Sequence, residues 1–263
     1  MDYLFIGGGN MGYALAAAVV RRGVCPAGRV LVSDPEPAAR QRAEALGCRT
    51  AQGPAEAGAR VIVLAVKPQQ AALALAALAG RLHAGQVVLS IMAGVRIAAI
   101  QEALRHRAVV RAMPNTPAQI GLGMNVFYAD GSVTAEQLAP VEALLNASGE
   151  ALRTDSEDLI DAATAVSGSG PAYVFYLAEH WMRAAEDMGF TPDQAARLVR
   201  QTLRGATELW QSTGTPPGRL REQVTSKGGT TAAALDAMNA AGVGAGIETG
   251  VRRAYERAKE LGR

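Results

Sequence analysis

Lysine is nearly absent from this chain. Only three of its 26 strongly basic residues are lysines, namely Lys67, Lys227 and Lys259, and the rest are arginines. Arginine-biased coding explains such a composition, yet it makes each remaining lysine a candidate for a specific role. The formal net charge is only +2, so neither a nucleic acid nor a membrane surface is expected as a partner.

Cysteine is also scarce. Cys25 and Cys48 lack the pairing density of a secreted disulfide scaffold, which favours a reducing compartment. Residues 1–3 lead straight into an apolar run without a basic and apolar leader, and no apolar run is long enough to span a membrane. A cytoplasmic protein is therefore expected.

The three histidines do not form a recognisable site. His83, His106 and His180 are scattered, and no cysteine lies at ligand spacing from them, so no metal site is expected. No Ser–His–Asp or Cys–His set can be assembled from the spacing either. The chemistry of this chain must therefore come from other residue types.

The first half alternates short apolar runs with helical segments. Strands are predicted near residues 4–6, 29–33, 61–66, 87–91, 109–112 and 124–128, the last of these closing this part of the chain. The continuously apolar runs are typical of strands buried on both faces. Repeated strand–helix units predict an α/β fold with a Rossmann-type, parallel, doubly wound sheet.

From about residue 156 the pattern becomes helical. Helices are predicted over residues 171–188, 191–212, 215–224, from 230 and over 245–261, and capping boxes begin at Thr134 and Thr191. The expected domains are a dinucleotide-binding domain, residues 1–155, and an all-helical domain, residues 156–263. This alanine-rich helical layer is thin, so completion of its core by dimerisation is expected.

A glycine-rich segment follows the first strand. Gly7, Gly9 and Gly12 fit the G-x-G-x-x-G spacing, which allows a tight turn, close approach of a pyrophosphate and close helix packing. Asn10 and Met11 begin the next helix, whose free N–H groups favour phosphate. A plain glycine turn is the alternative, but the position directly after a strand favours a dinucleotide site.

Other candidate contacts follow the later strands, because open sheets bind ligands beyond the carboxyl ends of their strands. They are Ser33, Asp34, Val66, Lys67, Pro68, Ala93, Gly94, Asn115 and Thr116. An acid in the place of Asp34 can bind the ribose of NAD, whereas a neighbouring arginine, such as Arg40 or Arg42, favours NADP. Prolines on either side stiffen the Asn115–Thr116 loop, so its side chains and amides can face a ligand.

Hydroxyl groups and glycines are concentrated at residues 225–231, between two helices. Such a segment at a helix N-terminus suits a carboxylate or phosphate, although a flexible helix cap would look similar. Residues 167–170 have a similar, shorter composition and are interpreted first as the entry to a helix.

Five motifs, taken in order, resemble pyrroline-5-carboxylate reductase over essentially the whole chain. They are GGGNMG at residues 7–12, AVKPQ at 65–69, MPNTP at 113–117, SGSGPAY at 167–173 and VTSKGGTT at 224–231. The resemblance implies reduction of 1-pyrroline-5-carboxylate to L-proline with NADPH or NADH, the last step of proline biosynthesis. It also implies a Rossmann domain followed by a helical dimerisation domain, with homodimers that assemble into rings such as a decamer.

The resemblance assigns roles residue by residue. It implies that the substrate carboxylate is held by Ser226, Gly228, Gly229, Thr230 and Thr231, that Thr231 lies near the ring nitrogen, and that the strand-end residues named above hold NADP or NAD. The chain has Lys227 where the family usually has proline, so this lysine either strengthens anion binding or points outward. Gly53-Pro54 replaces an asparagine often found near the adenosine.

Hydride transfer to a protonated imine needs neither a nucleophile nor a metal, so positioning supplies much of the catalysis. One alternative is a reductase of another cyclic imine. A second is a 3-hydroxyacid dehydrogenase, which would need a lysine in the helices over 171–188 or 197–212, where none occurs. A third is a dinucleotide sensor without turnover, which would not need residues 226–231.

Overall fold

The computed structural model describes residues 1–53 and 58–262, so Pro54 lies outside the described residues. The chain divides into two compact units. One contains Met1–Pro171 and the C-terminal segment from Arg253, and the other contains Ala172–Arg252. The division expected after residue 155 stays a prediction about the folding domains.

An eight-stranded sheet forms the centre of the first unit. Its strands are β1 (Tyr3–Ile6), β2 (Val30–Ser33), β3 (Arg49–Ala51), β4 (Val61–Leu64), β5 (Val87–Ser90), β6 (Val109–Met113), β7 (Gly123–Ala129) and β8 (Gly149–Arg153). Their order in the sheet is 3-2-1-4-5-6-7-8. The first six strands are parallel and have the Rossmann order, with the topological switch point between β1 and β4.

The last two strands correct the sequence prediction. β7 runs antiparallel to β6, and β8 then pairs parallel with β7, so the strand predicted at residues 124–128 is not the last of this part. β3 and β8 are the two edges of the sheet and are largely polar, with half-buried or exposed side chains. An edge strand needs no continuous apolar run, so neither strand is visible in the hydrophobic pattern.

Helices cover both faces of this sheet. They are α1 (Asn10–Arg21), α2 (Pro37–Glu44), α3 (Ala71–Leu78), α4 (Ile97–Leu104), α5 (Ala135–Ala147) and α6 (Asp158–Ala163). Phe5 of β1 packs in a core with side chains of α1, α2 and α5, whereas Leu4 packs with α3 and α4. Successive strand residues point to opposite faces, so this division confirms the doubly wound fold.

A buried charge cluster joins β6 to α6. Arg111 is fully buried, and its guanidinium donates to Asp161 at 2.6 Å and to Glu157 at 3.2 Å. Glu157 also accepts the backbone N–H of Ile97 at the start of α4, and Arg96 donates to Asp158 at 2.6 Å. A buried charge costs several kcal/mol unless it is paired, so these contacts fix α6 on the sheet.

The remaining helices are α7 (Gly170–Asp187), α8 (Pro192–Thr213), α9 (Pro217–Gln223), α10 (Thr230–Ala240) and α11 (Val243–Leu261). No strand occurs among residues 156–262, which confirms the predicted change to helices. The capping boxes at Thr134 and Thr191 are both formed. Within the described part of the chain, no helix is long and apolar enough to cross a membrane.

The second unit exposes many large apolar side chains. They include Phe175 and Tyr176 of α7, whose exposed fractions are 67% and 66%, and Trp210 of α8 at 50%. None of the described residues of α7, α9 or α10 is buried. Such surface is unfavourable in water, so this unit has the character of an oligomer interface.

Candidate functional site

The turn after β1 is built so that only glycine fits at two of its positions. Gly7 has a φ of +104°, and a Cβ there would lie 2.7 Å from the carbonyl oxygen of Ala65. A Cβ on Gly12 would overlap the carbonyl oxygen of Gly7. The turn Gly7–Gly12 is therefore pressed between the ends of β1 and β4, at the switch point of the sheet.

The opposite side of this turn is open. No atom lies within 4 Å of the Cβ position of Gly9, which is the N-cap residue of α1, and no side chain of the described residues caps this helix. The first N–H groups of α1 therefore face outward with the positive end of the helix dipole. This open cradle fits the pyrophosphate of a dinucleotide.

Asp34 has a structural role in the same turn. Its Oδ2 accepts the backbone N–H of Gly8 at 2.7 Å, and its Oδ1 accepts the N–H of Glu36 at 2.8 Å. Ser33 beside it is buried. The carboxylate thus ties the end of β2 to the glycine turn, through a backbone N–H 26 residues away in the chain.

Two arginines of α2 lie beside Asp34. Arg40 donates to the carbonyl oxygens of Asp34 and Pro35, each at 2.7 Å. Arg42 donates to the carbonyl oxygen of Gly8 at 3.1 Å, and its guanidinium lies 5.1 Å from the centre of the Tyr13 ring. The end of β2 therefore carries two guanidinium groups beside the carboxylates of Asp34 and Glu36.

The segments after β4 and β5 lie at the same carboxyl edge. Val66 is half-buried, whereas Lys67 and Pro68 are exposed and lead into α3. Ala93 and Gly94 are half-buried, and Gly94 lies against the carbonyl of Leu261, near the end of α11. These segments are adjacent because β1, β4 and β5 are neighbours in the sheet.

Asn115, in the loop after β6, is held by hydrogen bonds within the protein. Asn115 is buried, and its side chain donates to the carbonyl of Ser167 at 3.0 Å and accepts the N–H of Met124 at 2.9 Å. Both polar atoms of this side chain bind within the protein, and its contact with a ligand stays a prediction. Thr116 is exposed and begins a short 3-10 helix.

The hydroxyl-rich segment Ser226–Thr231 lies in the second unit. Gly229 is the N-cap residue of α10, its N–H donates to the carbonyl of Ser226 at 3.0 Å, and no described side chain caps this helix. Thr231 is half-buried, and Ser226, Lys227, Gly228 and Thr230 are exposed. Lys227 makes no ion pair with the described residues, and its role stays a prediction.

The predicted site residues therefore fall into two groups. The structure brings the strand-end residues together along the carboxyl edge of the sheet in the first unit, and it places Ser226–Thr231 in the second unit. Two cavities, of about 220 and 370 Å³, are lined by other residues, around Arg60 and around Arg96. In open sheets a dinucleotide binds along the carboxyl ends of the strands, so the candidate site lies at this end of the sheet.

Most groups with a shifted pKa belong to the opposite edge, where the parallel strands begin. Burial raises the pKa of the Tyr3 phenol to about 12 and that of the Cys25 thiol to about 11, and it also raises the pKa of Cys48. Burial lowers the pKa of His106, which bonds to the carbonyl of Gln86. Both thiols are therefore protonated at neutral pH and are not activated nucleophiles.

The fold and this edge define the class of protein. The glycine turn at the switch point of a Rossmann sheet indicates a dinucleotide-binding protein, and residues 3–94 match the family model described as NADP oxidoreductase coenzyme F420-dependent. Residues 157–261 match the model described as pyrroline-5-carboxylate reductase dimerisation. The chain belongs to the pyrroline-5-carboxylate reductase family.

Similar proteins support this membership over the whole length. A pyrroline-5-carboxylate reductase of Pseudomonas aeruginosa is 41% identical, over 98% of this chain and 95% of that protein. The structure of a pyrroline-5-carboxylate reductase from Coxiella burnetii is 33% identical with a TM-score of 0.91, covering 100% of this chain and 98% of that one. The Plasmodium falciparum pyrroline carboxylate reductase, determined with NADP bound, is 26% identical with a TM-score of 0.89 and covers 100% of this chain and 98% of its own.

Proposed function

We propose that this chain reduces 1-pyrroline-5-carboxylate to L-proline by hydride transfer from NAD(P)H, the last step of proline biosynthesis. The observation that carries the proposal is the 41% identity to a pyrroline-5-carboxylate reductase over 98% of this chain. The open glycine turn at the switch point supports a bound dinucleotide independently, because it depends on geometry alone.

The chain's own residues supply binding and orientation. A nicotinamide cofactor held at the glycine turn would supply the hydride. The first amides of α10, with the hydroxyl groups of Ser226, Thr230 and Thr231, hold the substrate carboxylate at a helix N-terminus. The hydroxyl oxygen of Thr231 accepts the N–H of the protonated imine and fixes the imine carbon for transfer, so the catalytic contribution is mainly positioning.

An absorbance assay that follows NADPH directly tests the activity. NADPH oxidation at 340 nm should require 1-pyrroline-5-carboxylate and yield L-proline. Other cyclic imines are tested in the same assay, and 3-hydroxyacids are tested with NADP+ by following the formation of NADPH. Binding of NADPH without turnover of any of them would identify a dinucleotide sensor and refute the proposal.

Changing Thr231 tests its role. We expect Thr231→Ala to lower kcat/KM for 1-pyrroline-5-carboxylate about 100-fold, because one placed hydrogen-bond partner of the imine N–H is lost. Thr231→Ser keeps a hydroxyl group and should retain most of the activity. The NADPH dissociation constant is the control and should not change, and near-wild-type turnover of Thr231→Ala would eliminate the assigned role.

NADPH is the proposed preferred cofactor. The guanidinium groups of Arg40 and Arg42 lie at the end of β2, where the adenosine ribose of a dinucleotide binds, and can pair with a 2′-phosphate. Arg42→Gln should raise KM for NADPH about 10-fold, the effect of one charge-assisted hydrogen bond, and leave KM for NADH nearly unchanged. Arg81→Gln, beyond α3, is the control, and an equal rise for both cofactors would instead indicate a damaged turn.

We also propose a homodimer that assembles further, into a ring such as a decamer, in the cytoplasm. The exposed apolar side chains of α7 and α8 support self-association. Sedimentation velocity of the purified full chain measures the size of the assembly.

A further inference from the structure

Pro171, at the entry to α7, has no backbone N–H to donate to the carbonyl one helical turn before it. In a regular helix the carbonyl of Ser167 would accept the N–H of residue 171, which proline lacks. The preceding segment, Thr164–Gly168, is a π-helical turn closed by the N–H of Ser169, which donates to the carbonyl of Thr164 at 2.8 Å. Such turns are rare and occur frequently at functional sites.

Asn115 supplies the missing donor. Its Nδ2 donates to the carbonyl of Ser167 at 3.0 Å, and its Oδ1 accepts the N–H of Met124 at 2.9 Å. The residue is only 9% exposed. One carboxamide thus connects the end of β6, the start of β7 and the π-helical turn.

This connection lies in the half of the sheet that receives the nicotinamide. In a Rossmann fold, β1 to β3 carry the adenosine half of the dinucleotide and β4 to β6 carry the other half. Asn115 follows β6 after one residue, and a Cβ on Gly168 would lie 3.4 Å from Cγ of Met113, the last residue of β6. The π-helical turn therefore packs directly on the end of the strand that borders the reacting ring.

We propose that Asn115 is a positioning residue for hydride transfer, which holds the π-helical turn Thr164–Gly168 against the nicotinamide end of the cofactor site. The proposal rests on the proposed reductase function. Asn115 acts by holding the turn, and its side chain does not itself contact the cofactor. Loss of its donor frees the Ser167 carbonyl and lets the turn move relative to β6.

Asn115→Asp separates the two hydrogen bonds. The aspartate still accepts the N–H of Met124 but places a carboxylate against the Ser167 carbonyl. We expect kcat to fall about 100-fold, the effect of misplacing reacting groups, while the NADPH dissociation constant changes less than about threefold. Amide hydrogen exchange of residues 164–170 should rise at least about 10-fold, since exchange reports local opening.

Asn146→Asp is the matched control. Asn146 is exposed on α5, and its Nδ2 also donates to a backbone carbonyl, that of Glu142 at 2.9 Å. This variant should keep wild-type kcat and wild-type exchange in residues 164–170.

Pro171→Ala provides a second test, because alanine introduces an N–H that can donate to the Ser167 carbonyl. In the double variant Asn115→Asp/Pro171→Ala, the fold loss of kcat should be smaller than the product of the fold losses of the two single variants. Such a result shows that the two residues are coupled. Independent effects would contradict the proposal.

Three outcomes overturn the proposal. A rise in the NADPH dissociation constant that parallels the loss of kcat would indicate direct cofactor contact, and a lower Tm with unchanged kcat would indicate a purely structural role. Unchanged exchange in residues 164–170 would show that Asn115 does not hold the turn. If the wild-type enzyme fails to reduce 1-pyrroline-5-carboxylate, the reductase proposal fails, whereas the exchange result still decides whether Asn115 holds the turn.

Discussion

Single residues show how far a role can be read from a position in the sequence. Asp34 and Asn115 follow strands β2 and β6, which makes them candidates for ligand contact. In the structure their side chains bind the protein itself, at Gly8 and at Ser167 and Met124 respectively. The partners Gly8 and Ser167 lie 26 and 52 residues away in the chain, so they leave no local pattern in the sequence.

Arg111 makes the same point for stability. An arginine within an apolar strand run gives no indication of its partners, yet it is fully buried between Asp161 and Glu157. Its burial can be understood only when α6 packs on β6.

We expect Asp161→Asn to destabilise the fold by about 3 kcal/mol, because removal of one partner leaves a buried charge poorly compensated. Urea unfolding measures this loss. Glu179→Gln is the control, since it removes an exposed ion pair with Arg183 on α7, and such pairs contribute about 0.5 kcal/mol or less. Equal effects of the two substitutions would contradict the role of the buried cluster.

At the scale of elements, the hydrophobic pattern located the buried strands because each is a continuous apolar run. The hydrophobic pattern did not predict the edge strands β3 and β8, since they carry polar side chains on exposed faces. The pattern also did not predict that β7 runs antiparallel to β6. Strand direction depends on how the connection from β6 returns across the sheet, which a local pattern does not contain.

The contact between α1 and β1 gives a prediction at this scale. Gly12→Ala should weaken NADPH binding at least about 10-fold and lower Tm, because its Cβ would overlap the Gly7 carbonyl and force the helix away from the strand. Isothermal titration and thermal unfolding measure the two effects. Gly28→Ala is the control, as no atom lies within 4 Å of its Cβ position, and equal behaviour of the two variants would contradict the packing argument.

At the scale of the whole molecule, the second unit is incomplete as a monomer. Its helices α7 and α8 present large apolar side chains to solvent, and residues 157–261 match a dimerisation family model. The expectation that this thin helical layer associates with another copy follows from the same physical reason, the cost of exposed apolar area.

Phe175→Glu should therefore shift the chain toward the monomer, because the exposed ring becomes a charge that an apolar interface cannot accommodate. Sedimentation velocity across a concentration series measures the shift. Leu73→Glu on α3, at an even more exposed apolar position, should leave the assembly unchanged. Dissociation by both substitutions would mean that the interface is not confined to the helical unit.

The sequence by itself determined the alternation of strands and helices, the glycine turn at residues 7–12 and the family, because these depend on local spacing and ordered motifs. Only the tertiary structure decided which backbone groups bind the side chains of Asp34 and Asn115. It also decided that two arginines lie at the end of β2 and that Arg111 forms buried ion pairs. Each of these features joins residues far apart in the chain. Their free energies depend on burial and distance, which exist only after the sheet and its helices have packed.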